Sequence, residues 1–118
     1  MMVECFAPDG ELHVVGGETH RGLNALQEFF AGVRATTTAP TELTLLRHCV
    51  TNTLIDVLSP ATATANSYFQ VLTNLGLDHW GRYRDTFAPD PHTGRWLIAS
   101  RSVKTDAYAP NSLFSNRT

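Results

Sequence analysis

The sequence predicts an α+β domain, a curved antiparallel sheet with one helix packed into its concave side. Three observations carry this. Only Gly22 to Arg34 has helical periodicity, with Leu23, Leu26, Phe29, Phe30 and Val33 recurring at three- and four-residue steps as one apolar stripe. From Glu42 onward the chain is β-rich and interrupted only by short turn signals. Consecutive strands joined by short turns pair as an antiparallel meander, and a single helix must then cover one of its faces.

The elements follow in order. Cys5-Phe6-Ala7-Pro8-Asp9-Gly10 reads as the end of a segment followed by a turn. Glu11 to Val15 alternates and suits a short strand, Gly16-Gly17 is a turn, and Glu18 to Arg21 is a second short strand. The helix follows, and Thr36 to Pro40 ends it. Glu42 to Leu58 is a long strand, and Ser59-Pro60 turns the chain. Ala61 to Asn74 is the next strand, with Ala63, Ala65, Ser67, Phe69 and Val71 on its less polar face. Asn74-Leu75-Gly76 turns into a strand over Asp78 to Ala88. Asp90 to Gly94 is a hairpin loop, and Arg95 to Thr105 is the last strand.

At 118 residues the chain is expected to be one domain, 1–118, without repeat or linker. A domain of this size buries roughly two-thirds of its unfolded surface. The formal net charge is −2 and Lys104 is the only lysine, so the electrostatic footprint of nucleic-acid binding is absent. No apolar run could span a bilayer and no secretory leader opens the chain, which points to a cytoplasmic protein without a membrane partner. Cys5 and Cys49 lack metal spacing and are expected as buried thiols. His13, His20, His79 and His92 do not form a metal set with His48, so no metal is expected.

The chemistry of interest lies in Leu46-Arg47-His48-Cys49-Val50-Thr51-Asn52. Strand side chains alternate, so Leu46, His48, Val50, Asn52 and Leu54 share a mostly apolar face with two polar groups set into it. A largely buried histidine beside an amide suits a small-molecule pocket; the other reading is a core histidine satisfied by Asn52 or a backbone group. Parity places Phe69 in the same pocket. Tyr83 shares a face with Gly81, Asp85 and Phe87, either aiming its hydroxyl into the pocket or serving as a half-buried sheet residue. Gly81 leaves room for a ligand or marks a bulge. Asp85 either stands in as the pocket acid, if it faces inward, or pairs with Arg82, Arg84 or Arg101, and the pairing is the expected role. Phe29 and Phe30 are core residues first and pocket walls second, and Trp96 is an anchor under the sheet.

The order of these motifs resembles the SnoaL-like family of the nuclear transport factor 2-like cone fold. The resemblance is carried by the Phe6-Ala7-Pro8-Asp9 opening, Arg21-Gly22-Leu23, His48 with Asn52, Ala61 to Tyr68, Gly81-Arg82-Tyr83-Arg84-Asp85, Gly94-Arg95-Trp96-Leu97-Ile98 and Arg101. It implies a cone-like pocket. The family includes polyketide cyclases, scytalone dehydratase, a dehydrochlorinase, steroid isomerase relatives and non-catalytic subunits, so fold alone does not settle activity. His48 matches the dyad histidine of the dehydratase-like members, which acts as base beside an aspartate from a helix preceding the first strand. This sequence starts at the Phe-Ala-Pro-Asp segment, so that aspartate and the N-terminal helices are expected to be missing. The second histidine of the scytalone dehydratase type falls near Thr73, and the polar pair that supports its substrate falls on Gly81 and Tyr83.

Two functions are therefore expected. The first is a cofactor-independent lyase, isomerase or cyclase, with His48 moving a proton on a hydrophobic substrate and Asn52, Phe69, Tyr83, Phe29 and Phe30 binding it. The second is a non-catalytic ligand-binding or assembly module of the same fold. A homodimer or homotrimer is expected to cover the apolar surface left by the missing helices.

Overall fold

The computed structural model describes residues 2–35 and 44–114. The expected helix end at residues 36–40 and the expected strand start at residues 42–43 lie outside them. A short 3-10 helix, Met2–Cys5, leads into β1 (Phe6–Val14) and β2 (Thr19–Arg21). Helix α1 (Leu23–Ala35) follows. The chain then forms β3 (Leu46–Ser59), β4 (Thr62–Thr73), β5 (Gly76–Pro89) and β6 (Trp96–Tyr108). All six strands form one curved sheet in the order β2-β1-β6-β5-β4-β3.

The meander β3 to β6 is antiparallel throughout. One pairing departs from expectation: β1 runs parallel to β6, with Leu12 opposite Arg101 and Val14 opposite Val103. The sheet is therefore mixed. The connection through α1 carries the chain across the sheet, which a tight turn cannot do, and this permits the parallel pair. The segment read as a turn before Glu11 is instead strand, broken by a register shift between Phe6 and Glu11. Gly10 sits inside this irregularity, where a Cβ would lie 2.9 Å from both the Ala7 and Ile98 carbonyl oxygens.

Registered partners share a face, so the ladder defines an inner face. From β3 to β6 it carries His48, Val71 and His79 in one row and Val50, Phe69 and Gly81 in the next. Ser67, Tyr83 and Val103 follow, then Ala65, Asp85 and Arg101. On β4 the burial alternates with period two, and Ala63, Ala65, Ser67, Phe69, Val71 and Thr73 are all buried.

Two apolar clusters occupy that face. Phe6, Leu12, Leu26 and Ile98 form one under the helix, with Leu23, Phe29 and Phe30 packed against it. Phe69, Val71 and Tyr83 form the other, and Val103 touches both. The helix packs mainly on β1 and β2 at one end of the sheet. The inner side of β3, at the far end, is left open: Val50 is 50% exposed, Ile55 60% and Val57 68%.

Several burial expectations are corrected by this layout. His48 lies on the edge strand and is exposed, not largely buried. Cys5 is exposed and Cys49 half-buried, so neither thiol is sealed in the core. Trp96 opens β6 at the hairpin and is 44% exposed, not an anchor under the sheet.

Candidate active site on the inner face

The centre of the inner face is a stack. Tyr83 lies parallel to Phe69 with ring centroids 4.6 Å apart. The Arg101 guanidinium sits 4.0 Å from the Tyr83 ring centroid, within cation–π range. Asp85 holds Arg101 in a two-point pair, Nε to Oδ1 at 2.7 Å and Nη2 to Oδ2 at 2.9 Å. The expected arginine pairing of Asp85 is thus present, with both side chains largely removed from solvent. A fork held at two points fixes the guanidinium plane, which in turn fixes its seat on the tyrosine ring.

Burial pushes the Tyr83 phenol up, opposed by the Arg101 charge and aided by Asp85. The phenol therefore stays protonated and able to donate. Arg101 lies above its ordinary range: burial disfavours its charge, but the Asp85 hydrogen bonds and carboxylate outweigh that.

His48 and His79 flank Val71 on the same face. Two strand spacings put their backbones roughly 10 Å apart. His48 is open to water on the strand edge, yet the protein behind it is sufficient to disfavour its charged form. Burial, then His79 and Arg101, lower its pKa below 6.5. Its imidazole is consequently a neutral base at neutral pH. Among the described residues no carboxylate hydrogen-bonds His48. His79 is different: its Nδ1 lies 2.7 Å from Asp78 Oδ1.

Asn52 does not join this group. It has a φ of +53°, and the β3–β4 register shifts between Thr51 and Leu54. The irregularity reverses the alternation, so Ile55 and Val57 continue the inner face while Leu54 faces outward opposite Asn66. Asn52 instead lines a shallow groove of about 270 Å³ with the outward-facing Leu54, Asn66, Tyr68, Arg82 and Arg84, and with Ser67 and Tyr83 of the strands beneath. Phe29 and Phe30 pack edge to face with each other at 5.4 Å, within the helix cluster and away from His48.

Gly81 leaves no room for a ligand. A Cβ there would fall on the Lys104 carbonyl oxygen and 2.7 Å from Phe69 Cε2, so the space belongs to the packed ring. The register of β5 on β6 also shifts beside it, between Trp80 and Gly81. His79 and Asp78 are the residues that sequence reasoning missed. The adjacent Asp-His was visible, but neighbours in a regular strand point to opposite faces, and nothing in the sequence marked the bulge that brings them together. No three His, Cys, Asp or Glu side chains converge as a metal site would require among the described residues.

The profile of the SnoaL-like domain matches residues 1–102. The chain belongs to this family. A protein from Catenulispora acidiphila, solved in complex with S-DNPA, is 27% identical, with a TM-score of 0.74 over 88% of this chain and 75% of that one. A Novosphingobium aromaticivorans protein, provisionally named a scytalone dehydratase, is 20% identical, with a TM-score of 0.73 over 91% and 70%. ActVI-ORFA from Streptomyces coelicolor is 21% identical, with a TM-score of 0.74 over 88% and 79%. The last two show the likeness of fold alone. No curated protein matches the chain in sequence. Among the described residues no helix is long and apolar enough to cross a membrane.

Proposed function

We propose that this SnoaL-like protein is a cofactor-independent lyase, isomerase or cyclase. A hydrophobic small molecule lies on the inner face against Phe69 and Tyr83, and His48 removes a proton from it. The observation that carries this reading is the neutral, partly desolvated His48 on the same face as a protonated Tyr83 and a fixed Arg101. A neutral imidazole accepts the proton, while the phenol and guanidinium are the donors near which negative charge on a carbonyl oxygen can develop. The likeness to a protein that holds S-DNPA supports a small organic ligand.

A second reading is a ligand-holding or assembly module without catalysis. It is favoured by two facts: no described carboxylate orients His48, and the inner side of β3 is apolar and open. The two readings separate on a carbon-acid probe. With 5-nitrobenzisoxazole, removal of the C3 proton breaks the N–O bond and releases a coloured phenolate. The enzyme reading expects wild-type turnover and a loss of about 100-fold or more in His48→Ala. Equal rates for the two proteins would leave the binding module.

A further inference from the structure

We propose that His79 is a second proton-transfer residue of the inner face and that Asp78 is its positioning residue. This deepens the reading of the inner face as a site of proton transfer and rests on it. The sheet is irregular at this point. His79 pairs with Val71, but Leu77, not Asp78, pairs with Leu72. Asp78 is thus an extra residue on β5, released from the strict alternation that would hold it and His79 on opposite faces.

The consequence is a histidine–carboxylate pair built from adjacent residues. The Asp78 side chain is 1% exposed and accepts three hydrogen bonds or their equivalents. His79 Nδ1 reaches Oδ1 at 2.7 Å, Ser112 Oγ donates to the same oxygen at 2.6 Å, and the Leu113 backbone N–H donates to Oδ2 at 2.6 Å. A carboxylate can only accept, so it selects the tautomer with the proton on Nδ1 and leaves the Nε2 lone pair bare. No hydrogen-bond partner occupies Nε2 among the described residues. Three rings hold the imidazole in place: Tyr108 at 5.3 Å, Phe114 at 5.5 Å and Phe69 at 6.1 Å between centroids. The side chain nevertheless keeps 15% of its surface open.

The chemistry follows. A substrate C–H gives its proton to Nε2, and the electron pair left behind forms a new C=C bond or an enolate. The imidazolium is stabilised by Asp78 through Nδ1–H. The proton then returns to a different carbon in an isomerisation, or leaves with the departing hydroxide as water in a dehydration. The alternative is that Asp78 only staples the C-terminal segment, for which the Ser112 and Leu113 bonds suffice and a fixed imidazole tautomer is not needed.

Nitrogen NMR of the imidazoles in their neutral form, read together with turnover of 5-nitrobenzisoxazole, tests this. The neutral His79 ring is expected to carry its proton on Nδ1 in wild type and in Ser112→Ala, and to lose that preference in Asp78→Asn. Turnover is expected to fall about 100-fold in His79→Gln, to fall in Asp78→Asn, to recover partly in Asp78→Glu, and to stay near wild type in Ser112→Ala. A neutral wild-type His79 with its proton on Nε2 would overturn the proposal without any variant. Wild-type turnover that survives His79→Gln would overturn it while leaving the role of His48 intact. A wild type inert toward the probe would remove the proton-transfer reading and this inference with it.

Discussion

At the scale of single residues, the site depends on groups whose charge state is set by their neighbours. The folded His48 has a pKa below its ordinary 6.5, so the unfolded chain binds more protons in the window between the two values. The contribution of this group to stability is full above about pH 6.5 and is lost as pH falls through the folded value. Urea midpoints measured from about pH 7 to about pH 5 should therefore fall more steeply for wild type than for His48→Gln. Identical slopes would show that the ring is not desolvated. The Asp85–Arg101 pair is a different case. Removing one partner strands the other charge in a buried position, so Asp85→Ala should cost about 3–5 kcal/mol in denaturant unfolding. A cost under about 1 kcal/mol, typical of exposed pairs, would mean that water reaches the fork.

At the scale of elements, two irregularities decide which side chains can meet. The bulge at Asn52 turns Leu54 outward and hands the inner face to Ile55 and Val57. The bulge at Asp78 does the opposite, gathering neighbours that a regular strand would separate. Asn52 holds a left-handed backbone that asparagine tolerates and β-branched residues resist. Asn52→Gly should melt close to wild type and Asn52→Val should lose about 1–3 kcal/mol, as read by thermal unfolding. Gly81 is held more strictly, because its α-hydrogen side is filled by Phe69 and the Lys104 carbonyl. Gly81→Ala must push β5 off β6 or expel the Phe69 ring, and a destabilisation of the order of Phe→Ala, about 3–5 kcal/mol, is expected from the same measurement. The helix, the four long strands and their turns were legible in the sequence because period and turn chemistry are local. His48, Phe69 and Tyr83 were legible as one face because parity carries across regular strands. Asn52 was misplaced, and the Asp78–His79 pair went unseen, because one inserted residue reverses parity and leaves no local signature. The burial of His48 was overestimated because an apolar neighbourhood in sequence does not reveal that its strand lies at the edge.

At the scale of the whole molecule, the helix covers one end of the inner face and leaves the other open. The parallel pairing of β1 with β6 was not legible, since it depends on where the helix carries the chain. With Val50, Ile55 and Val57 half or more exposed, this end should bind an environment-sensitive apolar dye in the native state. Ile55→Thr with Val57→Thr should reduce that fluorescence while shifting the melting midpoint little, because neither side chain is buried. Unchanged dye binding would place the apolar surface elsewhere. The proposed function requires small molecules to bind the helix-bearing inner face and not the outer groove. Chemical-shift mapping with 2-naphthol separates the two. Titration is expected to shift Phe69, His48 and His79. Shifts confined to Asn52, Asn66, Arg82 and Arg84 would put the ligand in the outer groove and overturn the proposed function.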